Sequence, residues 1–286
     1  MIIAQITDIH LGFEPESPSE FNRQRLDRAL AEIAALDPRP DLLLLTGDLV
    51  DRGDVESYER LREALANCEI PCHFAMGNHD DRANFARVFP DAPSEGGFVQ
   101  YEIDAGPIRL LVLDSLEVGR HGGGFCEDRA AWLNARLEEQ SDRATVIVLH
   151  HPPFECGIPW MNTVPEEPWV QRLAECVEGR DNVHTMICGH IHRPSATSWH
   201  GIEVVTVPST APQVAAEFAK LDPMNPDGRP LIVAEPPAYA LHLWNGRQLV
   251  THWFYADDHT ILARYDAALQ PMVQHMFEER PTAAND

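Results

Sequence analysis

Five short blocks stand in one order along the chain: Asp8-Ile9-His10, Gly47-Asp48, Gly77-Asn78-His79-Asp80, His150-His151 and Gly189-His190-Ile191-His192. Each brings one or two metal-ligating side chains to the end of an apolar run. Together they offer seven ligands of imidazole, carboxylate and amide type, a mixture that suits two adjacent first-row metal ions better than one. Hydrolysis of a phosphate ester by a metal pair is the chemistry expected of them.

The blocks differ in how much each says alone. In an extended segment residues i and i+2 point to one side, so Asp8 with His10, and His190 with His192, can each present two ligands to one place. Such pairs also occur by chance. Asp48 follows Thr46-Gly47, where a glycine lets the chain turn tightly on leaving a strand; by itself it reads as an Asx turn or helix cap. Asn78 by itself reads as turn chemistry, although its amide oxygen can complete a metal site without adding charge. The bland explanation has to be invoked five separate times, each at a strand end, and the combination outweighs it.

The elements that must position these residues are visible as apolar runs of strand length with helical patterns between them. Ile2 to Thr7, Leu42 to Thr46 and Cys72 to Met76 read as strands, with helices over Leu26 to Leu36 and Tyr58 to Leu65. Further strands are expected at Phe98 to Ile103, Ile108 to Asp114, Thr145 to Leu149 and Val183 to Cys188, and helices near Glu127 to Glu139 and Trp169 to Val177. This alternation predicts α/β architecture with a mostly parallel, buried sheet. Four of the five blocks directly follow such runs, where open α/β sheets place their ligands. After Pro208 the character changes. Residues 211–237 are rich in prolines and charge, and read as a long loop or small excursion over the site. A hairpin follows, Ala238 to Trp244 and Gln248 to Phe254, with Asn245-Gly246 as a type I′ turn. The tail from Arg280 reads as frayed.

Composition narrows the partners. The 286 residues carry 22 basic against 45 acidic side chains, a net charge of −23. That balance opposes attraction to nucleic acid or an anionic membrane. No stable nucleic-acid partner and no membrane partner are expected. The six cysteines are scattered, and the close pair Cys68 and Cys72 lacks a second pair to complete a zinc knuckle. No apolar run reaches the roughly 20 residues of a membrane span, and the N-terminus lacks a secretory pattern. A reducing cytoplasm is the expected location.

The ordered set D-x-H, G-D, G-N-H-D, H and G-H-x-H resembles the calcineurin-like, binuclear metallophosphoesterase superfamily over roughly Met1 to Pro208. The resemblance implies a four-layer αββα sandwich of two mixed sheets flanked by helices. Residues 1–208 would form the catalytic domain, and 209–286 a C-terminal loop, hairpin and tail serving as a cap or oligomerisation element of the same globule. It implies two divalent or mixed-valence transition metal ions (Mn, Fe, Zn or Co). Asp8, His10 and His192 would hold one; Asn78, His150 and His190 the other; Asp48 would bridge them. A hydroxide between the metals would attack the phosphorus in line. By the same resemblance His79 would stand beside the substrate to assist the leaving group, and Asp51 would orient His79 and favour its protonated form. His151 reads as a packed or hydrogen-bonded neighbour of its ligand. Arg82, Ser115 and His121 read as ordinary loop residues, Trp160 and Phe125 as an apolar wall or local packing, Arg23, Arg25 and Arg28 as a solvated helix face, and Ser209-Thr210 as a turn.

Gly77-Asn78-His79-Asp80-Asp81-Arg82, His150-His151-Pro152-Pro153 and Glu235-Pro236-Pro237-Ala238-Tyr239 are most similar to the bacterial class III cyclic-nucleotide phosphodiesterase and glycerophosphodiesterase group. The implied activity is hydrolysis of small phosphodiesters, cyclic nucleotides or glycerophosphodiesters. Phosphomonoesterase or nucleotide pyrophosphohydrolase action on the same centre is the alternative, and a non-catalytic interaction module that keeps the fold is a third. The hairpin and the segment beyond Pro208 offer surfaces for a homodimer or higher homo-oligomer.

Overall fold

The computed structural model describes residues 1–15, 17 and 19–280. The chain opens with β1 (Ile2–Ile6), α1 (Phe21–Ala34), β2 (Leu42–Thr46), α2 (Val55–Leu65), β3 (Cys72–Ala75) and α3 (Arg82–Val88). It continues with β4 (Tyr101–Ala105), β5 (Ile108–Val112), α4 (Glu127–Glu139), β6 (Thr145–Val148), α5 (Pro168–Val177), β7 (Val183–Cys188), β8 (Ser195–Trp199) and β9 (Ile202–Thr206). The short pair β10 (Gln213–Val214) and β11 (Ile232–Val233) follows, then β12 (Ala238–Trp244), β13 (Leu249–Tyr255) and α6 (Gln270–Glu278). Residues Met1–Ala256 form one compact unit, and a second begins at Asp257 and contains α6.

Two larger sheets carry the first unit. One has the order β13-β12-β1-β2-β3 and the other β4-β5-β6-β7-β9-β8. Strand periodicity explains how they stack. On β5, Leu110 and Val112 belong to the core shared with Ile3, Leu43 and Leu45 of the first sheet. Their neighbours Leu111 and Leu113 join Leu133 and Leu137 of α4 and Leu173 of α5 on the other face. Val146 and Val148 against Ile147 and Leu149 repeat the split on β6. Alternate side chains thus cover opposite faces, and Leu26 of α1 and Leu61 of α2 pack with the first sheet's strands. The result is the expected α/β sandwich of two mixed sheets flanked by helices. Each fully buried Leu or Val in it is worth about 1.5–3 kcal/mol.

The sheets are less parallel than the apolar runs alone suggest. β1-β2-β3 and β5-β6-β7-β9 are parallel, but β4, β8, β12 and β13 pair antiparallel. Those strands close by tight returns through Gly106, through His200-Gly201 and through Asn245 to Gln248, or join β1 from the far end of the chain. The Asn-Gly turn is present but is not type I′. Only Gly246, with φ 94°, is left-handed, while the Asn245 side-chain oxygen accepts from the N–H groups of Arg247 and Gln248. That bond lets a four-residue loop replace the two-residue turn.

Candidate metal centre

The five blocks lie just past the carboxyl ends of β1, β2, β3, β6 and β7, so both sheets deliver candidate ligands to one place. Neighbouring loops are sewn together by their backbones. Ile9 and His10 N–H groups donate to the Asp48 carbonyl at 2.9 and 3.0 Å, and Asp8 N–H donates to the Gly47 carbonyl at 3.1 Å. Across the sandwich, His190 N–H donates to the Asp8 carboxylate at 3.0 Å.

Asp8, His10, Asp48, His190 and His192 all adopt left-handed backbone, with φ of 51°, 49°, 46°, 70° and 52°. The i, i+2 pairs therefore converge through tight left-handed turns, not through extended chain. Such conformations cost non-glycine residues on the order of 1–3 kcal/mol each and persist where surroundings over-determine them, typically at functional sites. Gly77 serves the same convergence by being small. A Cβ there would lie 2.3 Å from both the backbone nitrogen and Oδ1 of Asp48.

The side chains form three clusters, within each of which the candidate ligand atoms lie within 4.8 Å of one another: Asp8, His10, Asp48 and His192; His150, His151 and His190; and His10, Asp51 and His79. Asp48 Oδ2 stands between the first two, 3.6 Å from His10 Nε2 and 3.3 Å from His150 Nε2. His192 Nε2 is 3.3 Å from Asp8 Oδ1. The histidines present Nε2 because Nδ1 is engaged elsewhere: His150 Nδ1 with the Thr46 carbonyl and His192 Nδ1 with the Pro212 carbonyl, each at 2.8 Å. Metal-binding histidines are commonly oriented in this way.

The donors fit metal ions on two counts. His150 Nε2 is buried yet has no hydrogen-bond partner, although such groups are nearly always satisfied. The carboxylates, fully enclosed, also demand positive charge. Burial alone would push the Asp48 carboxyl up, but His150, His10 and His79 together hold it well below the usual range. Asp8 is likewise lowered, chiefly by His192 against its own burial. In return, and despite burial, Asp48 and Asp8 pull His150 up to about 9. Burial and neighbouring imidazoles push His190 well below 6.5, leaving it neutral as a ligand must be, and push the adjacent His151 down in the same way.

His151, Trp160, Phe125 and Arg82 sit as their sequence reading has it, whereas Asp51, His121 and Arg25 sit differently. The Asp51 carboxylate is closer to His10 Nδ1, at 3.4 Å, than to His79 Nδ1, at 3.8 Å. Its backbone carbonyl, 2.8 Å away, is what His79 Nδ1 contacts. His151 is buried and linked to the site: Nδ1 meets Ser115 Oγ at 2.8 Å, and Nε2 meets the Asn78 amide oxygen at 3.2 Å. His121 borders the cavity with its ring centroid 4.8 Å from that of His190. Trp160 also lines that cavity, whereas Phe125 is core. Arg82 forms a bidentate pair with Asp114 away from the cavity. Arg25 is buried, not solvated, because it donates to the Thr210 and Ala211 carbonyls. Nothing in local sequence flags Ser115 or Arg25; their partners lie 36 and 185 residues away.

Comparisons with known proteins agree with this geometry. The model of the calcineurin-like phosphoesterase family matches residues 1–194. The chain is 33% identical over 262 residues, 89% of its own length and 93% of the relative's, to the "Probable glycerophosphodiester phosphodiesterase GpdQ" of Arcobacter nitrofigilis. It is 30% identical over 234 residues, 80% of this chain and 84% of the other, to the 3',5'-cyclic adenosine monophosphate phosphodiesterase CpdA of Vibrio vulnificus. Among solved structures, a dimetal phosphatase from Danio rerio shares the fold with a TM-score of 0.63 at 16% identity, over 88% of this chain and 98% of that one. Family model, relatives and the two-sheet sandwich agree: the chain belongs to the calcineurin-like phosphoesterase family.

Proposed function

We propose that this protein is a metal-dependent hydrolase of small phosphodiesters, with cyclic nucleotides and glycerophosphodiesters as the leading substrates. The observation that carries this reading is the unpartnered, fully buried His150 Nε2 facing Asp48 Oδ2 within a shell of further donors. The relatives named as diesterases support it. Asp8, His10 and His192 would hold one ion, and Asn78, His150 and His190 the other, with Asp48 between them. Imidazole, carboxylate and amide donors suit Mn, Fe, Zn or Co. When bound, such a pair supplies positive charge for the phosphoryl oxygens and acidifies the attacking water.

The remaining chemistry falls to side chains. His79 borders the cavity with Nδ1 on the Asp51 carbonyl, which leaves Nε2 to donate a proton to the departing alkoxide. The Asp51 carboxylate stands between His79 and His10 and orients both. Residues 209–237 bring Pro212, Val214 and Ile232 to the cavity wall and would act as the cap of their own site. Among the described residues no helix is long and apolar enough to cross a membrane. The six cysteines are free thiols, which suits a reducing cytoplasm.

Chelator-treated protein should be inactive and recover on adding Mn²⁺ or a similar ion, and Asp48→Asn should lower turnover at least 10²-fold. Bis-p-nitrophenyl phosphate should be cleaved faster than mono-p-nitrophenyl phosphate at equal metal loading. Faster monoester turnover would favour the phosphomonoesterase alternative, and activity that survives full metal removal would overturn both.

A further inference from the structure

The turn between α2 and β3 carries Cys68 and Cys72, the most closely spaced cysteines in the sequence. In the fold their sulfurs face each other at 3.8 Å, and both thiols donate towards the Ile70 carbonyl, Cys72 at 3.4 Å and Cys68 at 3.6 Å. Thiols are weak donors, so no strong bond holds either sulfur in place. The turn itself is anchored at both ends by backbone. Cys68 N–H donates to the Leu65 carbonyl at the end of α2, and the Pro71 carbonyl accepts from Leu43 N–H of β2, each at 2.9 Å. A disulfide bond of about 2.05 Å requires the sulfurs to close by roughly 1.8 Å, a gap that two thiols turning about their Cα–Cβ bonds can cross.

The surroundings favour sulfur chemistry over metal binding. Among the described residues no histidine or carboxylate joins these two sulfurs in a metal-ligand group, and a structural metal site would need further ligands. The two thiols also differ in access. Cys68 lines a cavity of about 320 Å³ with Leu30 and Ala34 of α1 and Ala64 of α2, and Cys72 is not on that wall. Burial and the neighbouring sulfur push the Cys72 thiol up, which disfavours the thiolate that must attack. A small disulfide therefore meets Cys68 first. Once Cys68 has reacted, the anchored turn holds Cys72 beside it at high effective concentration.

We propose that Cys68 and Cys72 form a reversible dithiol–disulfide pair, a modification site oxidised by low-molecular-weight disulfides of the glutathione class. The Cys68 thiolate attacks one sulfur of the small disulfide, the small S–S bond breaks, and one small thiolate leaves. The Cys72 thiol then gives its proton to water and attacks Cys68 Sγ, the mixed S–S bond breaks, and the second small thiolate leaves. Two protein sulfurs are oxidised and two small-molecule sulfurs reduced, and the two protein thiol protons end on the released thiols. The pair stands apart from the metal centre and does not depend on the phosphodiesterase reading.

Native, metal-loaded protein is equilibrated with glutathione disulfide, alkylated, and digested with trypsin without reduction. Residues 63–82 form one tryptic peptide that carries both cysteines and no other. That peptide should lose both alkylatable thiols and two hydrogen atoms of mass, dithiothreitol should restore them, and a mixed disulfide should make up less than about a tenth of the oxidised product. Cys72→Ser should instead trap glutathione on Cys68, whereas Cys68→Ser should leave Cys72 reacting about 10-fold more slowly or worse. A 63–82 peptide that keeps both thiols under conditions that oxidise dithiothreitol overturns the pair, as does a stable glutathione adduct on either cysteine of the native protein. Equal rates for the two variants overturn the order of attack. Should a serine variant fail to fold, as read by circular dichroism, the native peptide map decides alone.

Discussion

Asp48 divides its work between two oxygens. Oδ1 accepts the His79 N–H at 2.8 Å, fixing the loop of the proposed proton donor, while Oδ2 faces His10 and His150. Asp80, two residues before the start of α3, holds the same loops from behind. It accepts from Gly77 N–H, Leu49 N–H and Tyr58 Oη–H, and burial with the nearby Asp48 charge raises it to about 7. The Ser115–His151–Asn78 chain is the third support. If Asn78 is a ligand, His151 sets the direction of its amide, and His151→Leu should weaken Mn²⁺ binding about 10- to 100-fold, the usual cost of losing an orienting partner. Calorimetric Mn²⁺ titration of native and variant proteins measures it. An unchanged affinity would make His151 a packing residue only. At this scale the side chains that cluster at the centre are legible because each is an odd residue at the end of an apolar run, whereas Ser115, His151 and Asp51 owe their contacts to segments folded in from elsewhere.

The strands deliver the candidate ligands, but the turns after them set the geometry. Left-handed backbone at five candidate ligand positions stores strain that bonds such as Ile9 N–H to Asp48 carbonyl must offset. These turns leave no slack. Gly77→Ala would put a methyl 2.3 Å from Asp48 Oδ1, so the β3 loop must shift, at about 1–3 kcal/mol for overpacking. Metal content by atomic absorption and the thermal midpoint should both fall. A variant with full metal content and native stability would show that the loop moves freely. Element boundaries are unevenly legible in the sequence, for physical reasons. β2 and β6 are continuous buried apolar runs, and α4 begins and ends where its periodicity does. β8, Ser195–Trp199, is an exposed edge with no buried residue and no apolar alternation to find. α3 is only seven residues long, started by the Asp81 side chain accepting from Asn84 N–H.

At the scale of the whole molecule, a buried polar thread joins the two sheets beneath the centre. His242 on β12 meets Gln5 Oε1 on β1 at 2.8 Å, and Gln5 Nε2 donates to Thr46 Oγ1 on β2 and to the Cys188 carbonyl on β7. Since Gln5 Oε1 can only accept, His242 Nε2 carries the proton and Nδ1 takes the Thr251 hydroxyl. The imidazole is neutral, and burial holds it at about 3 against an ordinary 6.5. Between those values the unfolded chain binds a proton that the folded chain refuses. Stability from this group is therefore complete above about pH 6.5 and is lost as pH falls towards 3, by up to about 1.4 kcal/mol per pH unit. The depressed His151 and His190 act in the same direction, so the comparison that isolates His242 is native protein against His242→Gln. Urea midpoints at pH 7, 5.5 and 4 should show the variant less stable at pH 7, by about 1–3 kcal/mol for the broken buried hydrogen bonds, yet with a shallower acid slope. Parallel slopes would mean that groups other than His242, the depressed Asp8 and Asp48 carboxylates among them, govern acid lability, and that the thread joins the sheets by packing without sensing protons.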